Sequence, residues 1–169
     1  RIEHAQHLHP IDVPRFAKLG VIASMQGVHA SSDGPWVPKR LGEPRAGERT
    51  YVWRSLIDSG ALVSNGTDVP VEDIDPLASF RASVTREMVN GQRFHPEQNM
   101  TRQEALASYT WNNAYAGFEE DLKGSLAPGK LADFVVLDRD ILRVPDAELA
   151  SAQVLHTVLA GRVVYSRAP

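Results

Sequence analysis

The sequence predicts an α/β fold: short parallel strands alternate with helices over residues 1–123, and a strand-rich tail follows over 124–169. Three observations carry this. Val21-Ile22-Ala23-Ser24-Met25 and Ala61-Leu62-Val63-Ser64 are brief, continuous apolar runs, the pattern of parallel strands buried on both faces. Segments with apolar residues at helical spacing follow them. After Gly124 the alternation ceases and strand-like runs succeed one another with no long helix between.

Taken in order, Arg1-Ile2-Glu3-His4 reads as the end of a strand. Asp12 then opens a short helix with Pro14 in its first turn, where a missing N–H costs little, and Gly20 stops it. The strand at 21–25 leads into a long loop, 27–47, punctuated by Gly34-Pro35, Pro38, Gly42 and Pro44. A helix is expected from Glu48 to Ser59, with Gly60 as its stop, then a strand ending at Asn65-Gly66-Thr67-Asp68. Leu77, Phe80, Val84 and Met88 place a helix over 77–89. Thr101-Arg102-Gln103-Glu104 is a capping box that starts a helix running to about Tyr115. The tail holds strands at 132–138, 154–159 and 162–165, the last two joined by a hairpin at Ala160-Gly161.

Composition is that of an ordinary globular domain, with 43% hydrophobic and 23% charged residues. A net charge of −3 gives no electrostatic case for nucleic acid or an anionic membrane as partner. The absence of cysteine excludes a disulfide framework, a thiolate zinc site and a cysteine nucleophile. No apolar run reaches the roughly 18 residues of a membrane span. No signal peptide is visible, so a cytoplasmic location is the expectation. The chain opens on Arg1 directly into a strand-like stretch, and a natural N-terminus further upstream is expected.

Three strands end on residues suited to metals or proton transfer: His4, His29 in Ser24-Met25-Gln26-Gly27-Val28-His29, and Asp68. In parallel α/β barrels the active site lies at the C-terminal ends of the strands, which would bring these three to one rim. Two imidazoles and a carboxylate suit zinc or a similar divalent ion with an open position for water. Spacing alone leaves other readings open. A strand-terminal histidine is more often a loop hydrogen-bonder than a ligand, His29 can simply be solvated, and Asn-Gly-Thr-Asp is good turn chemistry in which Asp68 is a cap. His7 and His9 read as peripheral, His95 and His156 as structural or exposed, and Trp111 and Asn112 as packing residues.

Arg1-Ile2-Glu3-His4-Ala5-Gln6, Ala23-Ser24-Met25-Gln26-Gly27-Val28-His29-Ala30-Ser31-Ser32-Asp33 and Gly66-Thr67-Asp68-Val69-Pro70-Val71 resemble, in order, the sixth-, seventh- and eighth-strand motifs of the amidohydrolase superfamily, in the branch of the N-substituted formamide deformylases. Residues 124–138, Gly-Ser-Leu-Ala-Pro-Gly-Lys-Leu-Ala-Asp-Phe-Val-Val-Leu-Asp, are similar to the segment leading into the family's small β-sandwich. The resemblance implies the C-terminal part of a TIM (β/α)8 barrel, about strands six to eight, followed by part of that sandwich. It implies His4 as a metal ligand in a binuclear site, or a contact to water or substrate in a mononuclear one, Asp68 as metal ligand and catalytic proton shuttle, His29 as a substrate-facing residue, and one or two divalent ions, zinc above all, in the intact enzyme. Gly27 departs from the pattern, standing where the family often has Pro, and is expected to loosen the loop carrying His29. The family's other ligands belong to strands that would precede Arg1.

The implied activity is hydrolysis of C–N bonds of small amide-type substrates by metal-activated water. The alternative is a non-catalytic fragment or structural module with no activity of its own. A non-metal α/β hydrolase is a weaker reading, since no Gly-x-Ser-x-Gly elbow is present. The loop from Asp33 to Arg49, with Trp36, Arg40 and Arg45, is expected to line the pocket mouth, with Arg40 on the surface. Unpaired barrel strands should drive self-association or pairing with a missing N-terminal segment.

Overall fold

The computed structural model describes residues 1–168. Strand β1 (Ile2–Glu3) is followed by helix α1 (Val13–Leu19), which begins beside Pro14 and ends on Gly20 at φ 63°. Strand β2 (Ala23–Gln26) runs directly into α2 (Gly27–Asp33), and α3 (Val37–Leu41), α4 (Glu43–Arg49) and α5 (Trp53–Asp58) follow. Strand β3 (Val63–Gly66) precedes α6 (Pro76–Thr85). Helices α7 (Arg102–Tyr109) and α8 (Trp111–Ala116) lead to the tail, which holds β4 (Phe134–Leu137), α9 (Asp146–Leu149), β5 (Val154–Leu159) and β6 (Arg162–Ser166).

The first three strands form one sheet in the order β1-β2-β3, all parallel, with Ile2 opposite Ala23 and Ser24 opposite Ser64. The last three form a separate antiparallel sheet in the order β4-β5-β6. Leu159 pairs with Arg162 across Ala160-Gly161, both at positive φ, as a two-residue hairpin turn requires. Both sheets agree with the sequence expectation.

The helices depart from it in four places. The expected loop 27–47 holds three short helices, α2 to α4. Pro38 and Pro44 lie in the first turns of α3 and α4, where proline is tolerated, so these residues separate helices instead of excluding them. The expected helix 48–59 is broken at Thr50–Val52. There Tyr51 adopts φ 52° and its N–H donates to the Gln6 carbonyl at 2.9 Å, drawing the backbone across to the segment after β1. Helix α6 stops at Thr85, not near 89, because Arg86 turns left-handed (φ 52°) and carries its side chain inward. The expected helix to Tyr115 breaks at Thr110.

One buried apolar cluster spans most of the molecule, from Met25, Trp53, Leu56 and Met100 to Ile141 and Leu149 of the tail. Arg86 is fully buried within it. Its guanidinium lies 4.5 Å from the Trp53 ring centre and donates to the Tyr51 carbonyl at 2.9 Å, so aromatic faces and backbone oxygens take the place of a carboxylate. Burial pulls its pKa down to about 9. No described helix is long and apolar enough to cross a membrane.

Candidate metal centre

The three parallel strands deliver their chemistry at one end. His4 follows β1, His29 is the third residue of α2 directly after β2, and Asp68 lies two residues past β3. His4 (φ 67°) and Asp68 (φ 61°) are both left-handed, a conformation that non-glycine residues seldom adopt and that re-aims each side chain off its strand axis.

The placement of His29 depends on Gly27. Its N–H donates to Asn65 Oδ1 at 2.7 Å, a bond proline cannot make. A Cβ at Gly27 would lie 2.5 Å from the Ser79 carbonyl and 2.1 Å from Ser83 Oγ. The expectation that Gly27 loosens this segment is therefore overturned: glycine lets α2 seat tightly against α6. Asn65 also donates to Ser83 Oγ at 3.0 Å, and the Tyr109 hydroxyl bonds the Gly66 carbonyl and Ser79. Burial pushes the Tyr109 hydroxyl well above its ordinary pKa, so it stays a neutral donor. This network ties the ends of β2 and β3 together beneath the site.

Asp68 Oδ2 stands 3.5 Å from His29 Nε2 and 3.7 Å from His4 Nδ1, and the two rings stack with centres 6.2 Å apart. Ligand atoms of the three residues fall within 4.8 Å of one another, the one such group among the described residues. A tetrahedral ion with bonds of roughly 2.0–2.2 Å sets its donors about 3.3–3.6 Å apart; the His29–Asp68 separation falls in that range and the His4–Asp68 separation lies just outside it. His4 Nδ1 also meets Gln26 Oε1 at 3.0 Å. His29 Nδ1 meets Gln6 Nε2 at 3.1 Å; Gln6 reaches the Tyr51 hydroxyl, which donates to Asp33.

These residues open on a cavity of about 280 Å³ lined by His4, Gln6, His29, Asp33, Asp68, Val71 and Glu72. No lysine or arginine lines it. A larger cavity of about 800 Å³ between α7–α8 and the tail is lined by Glu119, Asp133 and Asp140 but brings no three metal-ligating side chains together, and its size alone does not make it the site. Of the segment 33–49 only Asp33 reaches the smaller cavity; Trp36 and Arg45, expected at its mouth, do not line it, and neither does Arg40, expected on the surface. His7 bonds Thr50, His95 lies by Glu97 and His156 meets Ser166, all away from the cluster. Sequence reading missed Gln6, Gln26, Tyr51 and Glu72. Gln6, two residues past His4, was within reach of inspection, whereas Tyr51 sits inside an expected helix and gave no signal.

Residues 1–165 match the model of the amidohydrolase family. This chain belongs to that family. As an amidohydrolase it is 40% identical to the Protein LONG AFTER FAR-RED 3 of Arabidopsis thaliana over 98% of its own length and 28% of that protein. It is 32% identical to the N-substituted formamide deformylase of Arthrobacter pascens over 99% of the chain and 31% of that enzyme. Among solved structures, an uncharacterised metal-dependent hydrolase from Pyrococcus horikoshii OT3 superposes with a TM-score of 0.76 at 32% identity, covering 87% of this chain and 30% of that one. The amidohydrolase chain thus spans less than a third of the length of these relatives, and the solved structures it resembles are TIM-barrel proteins.

Proposed function

We propose that this chain is the C-terminal third of a metal-dependent hydrolase acting on C–N bonds of small amide-type substrates. On this reading β1–β3 are barrel strands six to eight, and residues 124–169 begin and continue the β-sandwich subdomain. The observation that carries it is the convergence of His4, His29 and Asp68 at the C-terminal ends of three adjacent parallel strands. His4 and Asp68 hold a divalent ion, zinc or one like it, and His29 faces the substrate. A bound ion supplies an acidified water and a polarised carbonyl. Asp68 would accept a proton from the attacking water and return it to the leaving nitrogen, a transfer its carboxylate can make in both directions.

Zinc titrated calorimetrically into the purified chain tests the ligand assignment. Weak one-site binding is expected, because two ligands cannot close a tetrahedral site, and His4→Ala should abolish it. Unchanged binding in His4→Ala rejects His4 as a ligand.

A further inference from the structure

We infer that Gln6 and Tyr51 are positioning residues that keep the hydrogen of neutral His29 on Nε2, so that His29 offers the pocket a hydrogen-bond donor and not a metal-ligating lone pair. The hydrogen count starts at Asp33, whose carboxylate only accepts. The Tyr51 hydroxyl donates to Asp33 and thereby uses its one hydrogen. Burial and the adjacent Asp33 push that hydroxyl far above its ordinary pKa, so it keeps the hydrogen. Toward its other neighbour, 3.2 Å away on Gln6, the Tyr51 oxygen can only accept. The end of Gln6 facing it is therefore the NH2 group. The same nitrogen lies 3.1 Å from His29 Nδ1. An amide nitrogen only donates, so Nδ1 accepts and is bare, and the single hydrogen of the neutral ring sits on Nε2.

Turning the Gln6 amide over would set its carbonyl oxygen against the Tyr51 oxygen, two acceptors with no hydrogen between them. Tyr51 is not free to swing away. It is buried, its backbone N–H is bonded to the Gln6 backbone carbonyl at 2.9 Å, and Arg86 holds its backbone carbonyl from the core side at 2.9 Å. His29 Nε2 is itself buried, has no hydrogen-bond partner and faces Asp68 across 3.5 Å. A ligating ring needs the reverse arrangement, a bare Nε2 and an Nδ1–H held by an acceptor. His29 is thus an unspent donor beside Asp68 in the metal site, matched to the carbonyl oxygen of a substrate. Naming a substrate oxygen as its acceptor rests on the function proposed above; the position of the hydrogen does not.

The test is the nitrogen spectrum of His29 in the metal-free chain, labelled with 15N-histidine, assigned by His29→Gln and recorded at pH 8. A pyrrole-like Nε2 and a pyridine-like Nδ1 are expected. A hydrogen on Nδ1, or on both nitrogens, overturns the inference. Gln6→Glu, which puts an acceptor beside Nδ1, should move the hydrogen to Nδ1. Tyr51→Phe preserves the ring packing and releases the amide, and should give a mixture of the two tautomers. An unchanged spectrum in either folded variant overturns the roles of Gln6 and Tyr51. Zinc added to the wild-type chain should shift His4 and spare His29 Nε2, whereas in Gln6→Glu it should shift both; direct coordination of wild-type His29 by zinc overturns the inference. Failure of zinc to move His4 counts against the metal-centre reading and leaves the tautomer result standing.

Discussion

At Gly27 a single missing methyl decides where a functional imidazole stands. A Cβ there would approach a backbone carbonyl to 2.5 Å, and backbone cannot step aside as a side-chain tip can. Gly27→Ala should therefore destabilise the chain by about 1–3 kcal/mol, the usual cost of overpacking, read as a lower urea midpoint at constant m. An unshifted midpoint would mean that α2 and α6 have room to part. Asp68 makes a different kind of demand. Asparagine has nearly the same shape and can still ligate through its oxygen, but it cannot take up a proton. In a protein carrying this chain together with the remaining length of its relatives, Asp68→Asn should lower kcat on the order of a hundredfold or more with little loss of metal. Wild-type turnover in that variant would remove Asp68 from the proton path. Asp68 and His4 were legible through the resemblance of their motifs to the family's strand-end motifs, since the residues alone left loop and cap readings open. Tyr51 was not, because its importance comes from a hydrogen-bond chain to Gln6 that crosses 45 positions of sequence.

Among the elements, α7 is the one whose start the sequence announced in full. Thr101 Oγ1 accepts from the Glu104 N–H at 3.2 Å, and Glu104 accepts from the Thr101 N–H at 2.7 Å. The structure adds Arg54, whose two terminal nitrogens bond the two oxygens of Glu104 at 2.7 and 2.8 Å. This pair, aided by the cap, pulls the Glu104 pKa down from 4.5 to about 2. A carboxyl lowered on folding stabilises the protein above its unfolded pKa, and that contribution fades as pH falls through the folded one. Glu104→Gln should thus cost stability at pH 7, and its difference from wild type should shrink between about pH 4.5 and 2, measured by urea unfolding across that range. A difference that stays constant to pH 2 would remove the ion pair from the account. Helices α2 to α4 show the converse. Their glycines and prolines are the residues of a loop by composition, and only burial of Ala30, Val37 and Ala46 reveals why the chain coils between them.

The molecule as a whole leaves much apolar surface open. Phe118 is 92% exposed, Leu126 74% and Val163 64%, and every residue of β6 is exposed. Exposed apolar side chains in this number favour association. The chain should self-associate at high concentration and bind an apolar dye, and it should show no amide turnover alone even under saturating zinc. A clean, dye-silent monomer by light scattering would contradict the first expectation, and activity of the 169-residue chain would contradict the second. One edge behaves otherwise. On the far side of β3, Asn112 and Asn113 donate their side-chain amides to the Val63 and Asn65 carbonyls, both at 2.8 Å. Any further strand joining there must evict those two amides before it can bond, so growth of the sheet past β3 is a substitution reaction whose leaving group is helix α8.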